Sequence, residues 1–432
     1  MKRIIPYGRQ NITDEDIQAV VDVLKSDFLT QGPRIAEFET AFAGYIGSKY
    51  AVAVANGTAA LHLCTLALDV KPGDKVITTP ITFAASANCV RYAGGDVVFA
   101  DIDPKTYLLD IKEVEKLLKA APKGTYTGII PVDFAGRAVN LEAFKKLADE
   151  YGLWIIEDAC HAPGGFFVDS KGQKQKCGNG NFADLAIFSF HPVKHIACGE
   201  GGMITTNDEE LYEKLLVLRT HGIIKNNGKF QNPTSMAFGI NNPITNDQMT
   251  KNDPIANDPM TQNDPMTNDY PIWYYEMQAL GFNYRLTDIQ AALGISQLAR
   301  AEEGLVRRKE IAAVYQKAFK NEPSIVRQAG IVDGHAYHLY VIEVENRKEL
   351  INYLRTKNIF SQVHYIPVHT MPYYRVFGWK PGDMPHSEAY YSQCLSLPMY
   401  PTLTSEQQEY VIQCVTEFLS TNAHKLNTNP HK

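Results

Sequence analysis

The chain has 432 residues, more than a single hydrophobic core usually supports, so we expect two domains. Hydrophobic residues make up 45% and charged residues 21% of the chain, which is typical of globular proteins and excludes the disordered and fibrous classes. The 42 Lys and Arg residues do not outnumber the 48 Asp and Glu residues, and the net charge of −6 argues against binding to nucleic acid or to anionic membranes.

Neither a signal peptide nor a membrane span is predicted. The N-terminus offers only Ile4 and Ile5 before Pro6, and no stretch has the length of a transmembrane helix. The seven cysteines are scattered without a CxxC pair, which predicts neither a disulfide framework nor a metal site. We therefore expect a protein of the reducing cytoplasm.

Strand and helix patterns alternate along the first half of the chain. Helices are predicted at 14–25, 58–68, 84–92, 111–120 and 141–151. Strands are predicted at 49–55, 75–79, 97–102, 128–132, 154–157, 185–190 and 203–206. Because apolar strands that alternate with helices are covered on both faces, we predict an α/β fold with a mainly parallel, seven-stranded sheet in a large domain.

The last third of the chain has a different pattern. A helical stretch at 287–319 is followed by a strand at 338–345, a helix at 347–357, a strand at 361–365 and a helix at 405–420. These elements predict a smaller C-terminal α+β domain. The predicted boundaries are 1–225 for the large domain, 270–300 for a further large-domain segment with a linking helix, 301–422 for the small domain and 423–432 for a tail.

Residues 226–269 interrupt this organisation as a low-complexity insertion. The dipeptide Asn-Asp recurs at 246, 252, 257, 263 and 268, and prolines at 254, 259 and 265 exclude a long helix. The segment has too little apolar content to offset the entropy of ordering it. We expect a loose loop that is dispensable for folding.

Two charged side chains follow predicted buried strands. Asp158 ends the run Trp-Ile-Ile-Glu-Asp, and Lys194 ends the run Phe-Ser-Phe-His-Pro-Val-Lys. Ligands of parallel sheets bind outside the carboxyl ends of the strands. A lysine can form a Schiff base with pyridoxal 5′-phosphate (PLP), and a carboxylate keeps the cofactor's pyridine nitrogen protonated. The simpler interpretations are a surface lysine and a helix N-cap, but together the two residues favour a PLP site.

Three further features match such a site. The segment 56–60 turns from a strand through Gly57 into a helix, whose free backbone N–H groups can hold a phosphate. Phe83 follows another strand and offers a ring face for stacking, although plain core packing is the alternative. His161 could orient the cofactor's ring hydroxyl, and the alternative is a satisfied polar residue on a first helical turn.

The order of these segments resembles the DegT-type sugar-nucleotide aminotransferases among the fold-type I PLP enzymes. The resemblance spans nearly the whole chain except 226–269. The matching segments are Leu-Thr-Gln-Gly-Pro at 29–33, Asn-Gly-Thr at 56–58, Glu-Asp at 157–158, the lysine run at 188–194, Gly-Glu-Gly-Gly at 199–202 and Gly-Phe-Asn-Tyr-Arg-Leu at 281–286.

This resemblance implies a role for each matching residue. Lys194 would form the Schiff base and Asp158 would pair with the pyridine nitrogen. The phosphate would be held by Thr58, Ala59 and Ser189, and Phe83 would stack on the ring. Asn283 would reach the phosphate from a neighbouring subunit, which implies a homodimer.

Two segments, 273–277 and 362–369, most resemble the transaminases of pseudaminic acid biosynthesis. Those members aminate C4 of a UDP-linked 4-keto-6-deoxy-N-acetyl hexose with glutamate as donor. Tyr7, His364 and Tyr365 are then expected to line the substrate cleft, and Arg285 or Arg219 to bind the glutamate α-carboxylate.

Other interpretations stay open from the sequence. The keto sugar could be a different one, or the protein could be a deoxysugar dehydratase of the same fold, in which the lysine is typically a histidine; here His195 is adjacent to Lys194. A regulatory homologue without turnover is a third possibility, against which Lys194 and Asp158 argue. One departure is Cys198, where relatives commonly have a small hydroxyl residue.

Overall fold

Seven strands form the central sheet of the protein in the computed structural model, which describes residues 4–237, 270–327 and 333–427. Their spatial order is Tyr50–Val54, Gly202–Thr206, Leu185–Ser189, Trp154–Asp158, Gly128–Ile130, Lys75–Thr78 and Asp96–Phe99. Gly202–Thr206 runs antiparallel to both of its neighbours, and the other pairings in this sheet are parallel. The predicted α/β fold with a mainly parallel seven-stranded sheet is confirmed.

The strand interiors are buried because helices cover both faces of a parallel sheet. Ile155 and Ile156 have no exposed surface, and the same holds for Leu185 and Ala186 on the neighbouring strand. Burial of the Ile and Leu side chains contributes about 1.5–3 kcal/mol each to folding. A continuous apolar core therefore fixes the strands whose ends carry the polar residues of interest.

Helices surround this sheet and continue into the C-terminal part. The α-helices are Asp14–Leu24, Pro33–Ile46, Gly57–Ala67, Ala85–Tyr92, Ile111–Ala120, Leu141–Tyr151, Glu209–Arg219, Thr234–Ala237, Asp288–Ala299, Ala301–Ala318, Arg347–Thr356, Pro372–Arg375, Pro385–Gln393 and Ser405–Asn427. The helical stretch predicted at 287–319 is divided at Arg300, and the last helix passes the predicted end at 420 and the expected tail boundary at 422. Short 3-10 turns lie at Phe134–Gly136, Asn227–Lys229 and Val368–Thr370.

A three-stranded antiparallel sheet lies in the C-terminal part. It consists of Val326–Arg327, Tyr340–Glu343 and Cys394–Leu397. The prediction of a strand at 361–365 was wrong, because Gln362 makes only an isolated bridge to Ser396. The fully buried run Cys394–Leu397 pairs along Tyr340–Glu343 instead and supplies the third strand. Two further strand pairs are Phe166–Val168 with Lys174–Lys176 and Ile223–Ile224 with Glu276–Met277.

The chain divides into two compact units. One consists of Met1–Tyr212 with Arg285–Lys432, and the other of Glu213–Tyr284. The first contains both the central sheet and the C-terminal sheet, so the predicted boundary between a large and a small domain stays a prediction. No helix of the described residues combines the length and the apolar character needed to cross a membrane.

The second unit contains part of the predicted insertion. Residues 226–237 are held to the strand Glu276–Met277, since the backbone N–H groups of Gln231 and Asn232 donate to the Glu276 carboxylate at 2.7 and 2.9 Å. This portion is therefore not the loose loop that composition predicts. Residues 238–269, on which the rest of that prediction falls, lie outside the described residues.

Candidate active site

The candidate site lies at the carboxyl ends of adjacent parallel strands. Asp158 is the last residue of Trp154–Asp158 and pairs with Ile187 of Leu185–Ser189. Lys194 follows that second strand, and its backbone N–H donates to the His191 carbonyl at 2.8 Å in a tight turn. The sheet register thus brings the predicted carboxylate and the predicted lysine to one edge.

Asp158 is buried, with a relative exposure of 5%, and each of its carboxylate oxygens has a donor. The hydroxyl of Ser86 donates to Oδ2 at 2.6 Å, and the backbone N–H of Cys160 donates to Oδ1 at 3.2 Å. A carboxylate oxygen accepts more than one hydrogen bond, so this anion has capacity for a further N–H donor. Ser86 was missed in the sequence, where it is one polar residue of a helix and lies 72 positions before Asp158.

Lys194 is half-buried beside these groups. Burial lowers the pKa of its amine; the nearby Cys160 and Asp158 act in the opposite direction, while Arg308 lowers it further. A lowered pKa increases the fraction of neutral amine, which is the form that acts as nucleophile or base. Burial therefore favours the reactive, neutral form of the amine.

The helix Gly57–Ala67 begins beside the end of the strand that carries Ser189. A Cβ on Gly57 would lie 3.0 Å from the Cβ of Ser189, so the absence of a side chain permits this close approach. The Asn56 side chain caps the helix by accepting the N–H of Ala59 at 2.8 Å. The N–H groups of Gly57 and Thr58 lie in the first turn, where a helix supplies no acceptor. They form a cup suited to a phosphate.

The structure thus brings the helix start with Thr58 and Ala59 next to Ser189. One detail differs from the predicted phosphate site. The N–H of Ala59 already has Asn56 Oδ1 as its acceptor, so this group is engaged by the cap. The part of Ala59 in phosphate binding stays a prediction.

Two aromatic residues that were predicted for the site lie close to each other. Phe83 is 63% exposed, and its ring centroid lies 6.3 Å from that of Tyr365. Such exposure of a large apolar ring at a polar site leaves a face free for a planar ligand. The prediction that Phe83 stacks on a cofactor ring is consistent with this placement.

His161 and Tyr365 form a contact in the same pocket. The imidazole Nε2 lies 3.2 Å from the Tyr365 hydroxyl oxygen, and the backbone N–H of Ala135 donates to Nδ1 at 3.3 Å. Burial lowers the pKa of His161 well below its ordinary value, and Lys194 lowers it further. Burial also raises the pKa of the Tyr365 hydroxyl, with Asp158 as the next contribution.

Tyr7 and His364 complete this side of the site. Their ring centroids are 5.2 Å apart, and His364 Nδ1 lies 2.8 Å from the Ser396 hydroxyl. Burial lowers the pKa of His364 to about 3, with Lys194 contributing in the same direction. Both predicted substrate residues are therefore uncharged groups near the lysine.

Asn283 belongs to the other unit, Glu213–Tyr284. Its side chain is exposed, and its backbone pairs with Thr220 in an isolated antiparallel bridge. Its predicted role in a neighbouring subunit's phosphate site stays a prediction.

A model of the DegT/DnrJ/EryC1/StrS aminotransferase family matches residues 10–416. The chain belongs to this family. SpsC of Bacillus subtilis, a spore coat polysaccharide biosynthesis protein, is 37% identical over 424 residues, which cover 96% of this chain and 97% of SpsC. The predicted family is confirmed.

Solved structures support the same assignment. Helicobacter pylori PseC, an aminotransferase involved in the biosynthesis of pseudoaminic acid, matches with a TM-score of 0.79 at 29% identity, over 97% of this chain and 100% of PseC. The PLP form of Spr1654 from Streptococcus pneumoniae matches with a TM-score of 0.79 at 26% identity, over 97% of this chain and 99% of Spr1654, and a PMP form of that protein also matches. The chain is thus a PLP-dependent aminotransferase, as predicted.

The described residues fit PLP. The buried Asp158 carboxylate suits the pyridine nitrogen, the Lys194 amine suits the aldehyde, and the first turn of Gly57–Ala67 suits the phosphate. Each group comes from the end of a different strand, which is the arrangement expected for a ligand at the edge of a parallel sheet.

Proposed function

We propose that this aminotransferase aminates C4 of a UDP-linked 4-keto-6-deoxy-N-acetyl hexose, with glutamate as the amino donor. The relatives support a carbohydrate substrate, since PseC is named for pseudoaminic acid biosynthesis and SpsC for a spore coat polysaccharide. The predicted cytoplasmic location would suit such a substrate.

The main support for this proposal is a group of neutral hydrogen-bonding side chains near Lys194, which we call the wall. Tyr7 and His364 form this wall next to the ring of Tyr365, and a pKa of about 3 keeps His364 uncharged at neutral pH. Aromatic faces and neutral donors bind sugar hydroxyl and acetamido groups. The wall therefore favours a keto sugar as the amino acceptor.

Lys194 is the proposed proton carrier. When bound, PLP supplies an electron sink for the carbon that gains or loses the amino group. The lowered pKa of the Lys194 amine makes it easier for this group to release a proton that it has taken up within the site. Asp158, held by Ser86 and the Cys160 backbone, supplies the fixed negative charge opposite the pyridine nitrogen.

Glutamate needs a cation for its α-carboxylate, and Arg285 is favoured over Arg219. The backbone of Arg285 pairs with Val54, two positions before Asn56 at the start of the phosphate cup. A guanidinium on this part of the backbone could bind a carboxylate near the cup.

A homodimer is part of the proposal. Asn283 is exposed on a backbone segment that is fixed by its pairing with Thr220. An exposed amide of this kind can complete the phosphate site of a second copy of the chain.

A dehydratase is the second candidate, and the position of His195 argues against it. His195 Nε2 lies 2.9 Å from the Ala336 carbonyl oxygen, so one nitrogen of this imidazole is engaged away from the reaction. Lys194 remains the group available to the cofactor.

The test compares amino acceptors under matched conditions with glutamate as donor. We expect the keto sugar nucleotide to react faster than pyruvate or oxaloacetate by about 100-fold or more, because buried polar groups discriminate strongly against acceptors that leave them unpaired. Product NMR should locate the new amine at C4. Lys194→Ala should lose turnover, whereas Lys171→Ala, at an exposed lysine, should not. A simple keto acid as the faster acceptor would refute the sugar assignment.

A further inference from the structure

The backbone at Ala135 has a conformation that alanine rarely adopts. Its φ is 60° and its ψ is 1°, in the left-handed region, within the turn Phe134–Gly136. Non-glycine residues adopt this conformation at a cost, and it persists where the surroundings hold it. Ala135 is fully buried and its carbonyl accepts the N–H of Leu339 at 3.1 Å, while a Cβ on Gly136 would lie 2.9 Å from the His161 carbonyl oxygen. The turn is therefore clamped next to His161.

The clamped turn directs the Ala135 N–H at an imidazole nitrogen. This N–H donates to His161 Nδ1 at 3.3 Å. A neutral imidazole has one N–H and one acceptor nitrogen, so the hydrogen of His161 lies on Nε2. Protonation of the ring is opposed by its burial and by its neighbours. The titratable groups that face it are Lys194, His195, His338, His364 and Tyr365.

The tautomer fixes the direction of the next hydrogen bond. His161 Nε2 lies 3.2 Å from the hydroxyl oxygen of Tyr365, and because Nε2 donates, that oxygen accepts. The hydroxyl hydrogen of Tyr365 is then available to a different acceptor. Tyr365 is half-buried, its ring lies 6.3 Å from that of Phe83 and it interacts electrostatically with Asp158, so its hydroxyl lies among the residues that fit the cofactor.

We propose that Ala135, His161 and Tyr365 form a directed chain of hydrogen bonds that presents the Tyr365 hydroxyl hydrogen to the ring oxygen of bound PLP. Tyr365 is the contact residue, and His161 is a positioning residue that acts through it. This role differs from the direct cofactor contact expected for His161 and from the substrate contact expected for Tyr365. It depends on the cofactor alone and not on the proposed sugar.

The first experiment follows the visible absorbance of the PLP-loaded protein as a function of pH. A donor to the ring oxygen stabilises its negative charge and lowers the pH at which the cofactor loses its proton. Tyr365→Phe and His161→Leu should each raise the midpoint of this titration by about one pH unit, the size expected for a hydrogen bond to a charged group. The double variant should shift the midpoint no further than either single variant, since both changes break one chain.

His161→Gln is the matched control. Its amide oxygen can accept the Ala135 N–H and its amide nitrogen can donate to Tyr365, so the midpoint should stay close to that of the unchanged protein. Ala135→Gly keeps the N–H and should also leave the midpoint in place. Additive shifts in the double variant would show two independent contacts. An unchanged midpoint in Tyr365→Phe with a raised KM for the acceptor would assign Tyr365 to the substrate. Either outcome overturns the proposal.

A second measurement does not depend on the loaded enzyme. Nitrogen-15 NMR of histidine-labelled apoprotein distinguishes protonated from unprotonated ring nitrogens. We expect His161 to carry its hydrogen on Nε2 between pH 6 and pH 8, which would show that the protein itself sets the tautomer. A hydrogen on Nδ1, or an imidazolium, would refute the chain even if a substituted protein failed to fold.

Discussion

Buried histidines are the most consequential single residues outside the reacting groups. Burial lowers the pKa of His335 and His364 to about 3 and that of His161, His195 and His338 well below the ordinary range. In the unfolded chain a histidine titrates near pH 6.5. Below that pH the unfolded state binds more protons than the folded state, so stability is lost as the pH falls.

We predict acid sensitivity from this difference. Between pH 7.5 and 5.5 the free energy of unfolding should decrease by about 1.4 kcal/mol for each such histidine. Urea denaturation at the two pH values measures the change. His335→Gln should reduce the difference, whereas replacement of the exposed His386 should preserve it. Equal stability at both pH values would contradict the prediction.

Two buried carboxyl groups act in the opposite direction. The ligand atoms of Asp133, Glu157 and Cys177 all lie within 4.8 Å of one another. Burial raises the pKa of Asp133 to about 6, and burial together with Asp133 raises the pKa of Glu157 well above its ordinary value. The folded state then keeps protons that the unfolded state loses above about pH 4.5, so stability falls as the pH rises.

Glu157→Gln tests this second effect. The amide still accepts the N–H of Gly178, which Glu157 binds at 2.8 Å, and can donate to Asp133. We expect a smaller loss of unfolding free energy between pH 6 and pH 8 than in the unchanged protein. A steeper loss in the variant would show that the carboxyl pair is already ionised in the folded state.

At the scale of elements, one carboxylate joins two helices. Asp288 begins the helix Asp288–Ala299 and accepts the backbone N–H groups of Gly32 and Arg34 at 2.8 and 3.0 Å. These donors lie at the N-terminus of Pro33–Ile46, where the first N–H groups have no partner within the helix. The side chain is fully buried, so water does not replace it.

Asp288→Ala should therefore destabilise the protein by about 1–2 kcal/mol, because it removes the acceptor of two N–H groups at the start of a helix. Asp288→Asn retains one acceptor and should cost less. Denaturant unfolding measures both values. A loss of unfolding free energy smaller than that of an ordinary helix cap would mean that other groups accept these hydrogen bonds.

Many of the helices and strands could be predicted from the sequence. Apolar periodicity located the seven strands of the sheet and the helical stretch that begins near Thr287. The helix Pro33–Ile46 was overlooked although Gly32 and Pro33 form a helix start. Cys394–Leu397 is too short an apolar run for its pairing to be read locally.

The candidate site was predictable to the extent that strand ends determine it. Asp158 and Lys194 follow buried strands, and the sheet register brings them together. Ser86 reaches Asp158 across tertiary structure, and Ala135 gives no sign in the sequence of its positive φ, as a glycine would. Contacts of this kind depend on packing and leave no local pattern.

At the scale of the whole molecule, the proposed dimer predicts complementation. If Asn283 acts in the partner's site, a mixed dimer of Lys194→Ala and Asn283→Ala protomers has one site with both residues intact. Mixing the two weakened variants after dissociation should restore activity in the heterodimer. Unchanged activity after exchange, verified by mass spectrometry of the mixed dimers, would place Asn283 outside the cofactor site.

A second prediction at this scale concerns residues 238–269, which connect the two described parts of the unit Glu213–Tyr284. The Tyr270 hydroxyl donates to the Asn232 carbonyl at 2.6 Å, and the rings of Phe230 and Tyr270 are 4.8 Å apart. A short Gly-Ser linker in place of 238–269 should therefore leave the melting temperature nearly unchanged. Phe230→Ala should lower it. Insolubility of the shortened protein would show that the removed segment contributes to packing.

The antiparallel strand Gly202–Thr206 also has a consequence for biosynthesis on the ribosome. Val54 pairs with Gly202, so the strand that leads into the phosphate cup receives its neighbour only after residues 202–206 have left the exit tunnel. Until then Tyr50–Val54 is an unpaired edge, open to pairing with other nascent chains. The loop that carries Lys194 emerges from the ribosome just before that strand, and pairing of the strand then completes the cup. Pairing with Gly202–Thr206 thus protects one side of Tyr50–Val54 at the stage of synthesis at which the loop of Lys194 reaches the cup.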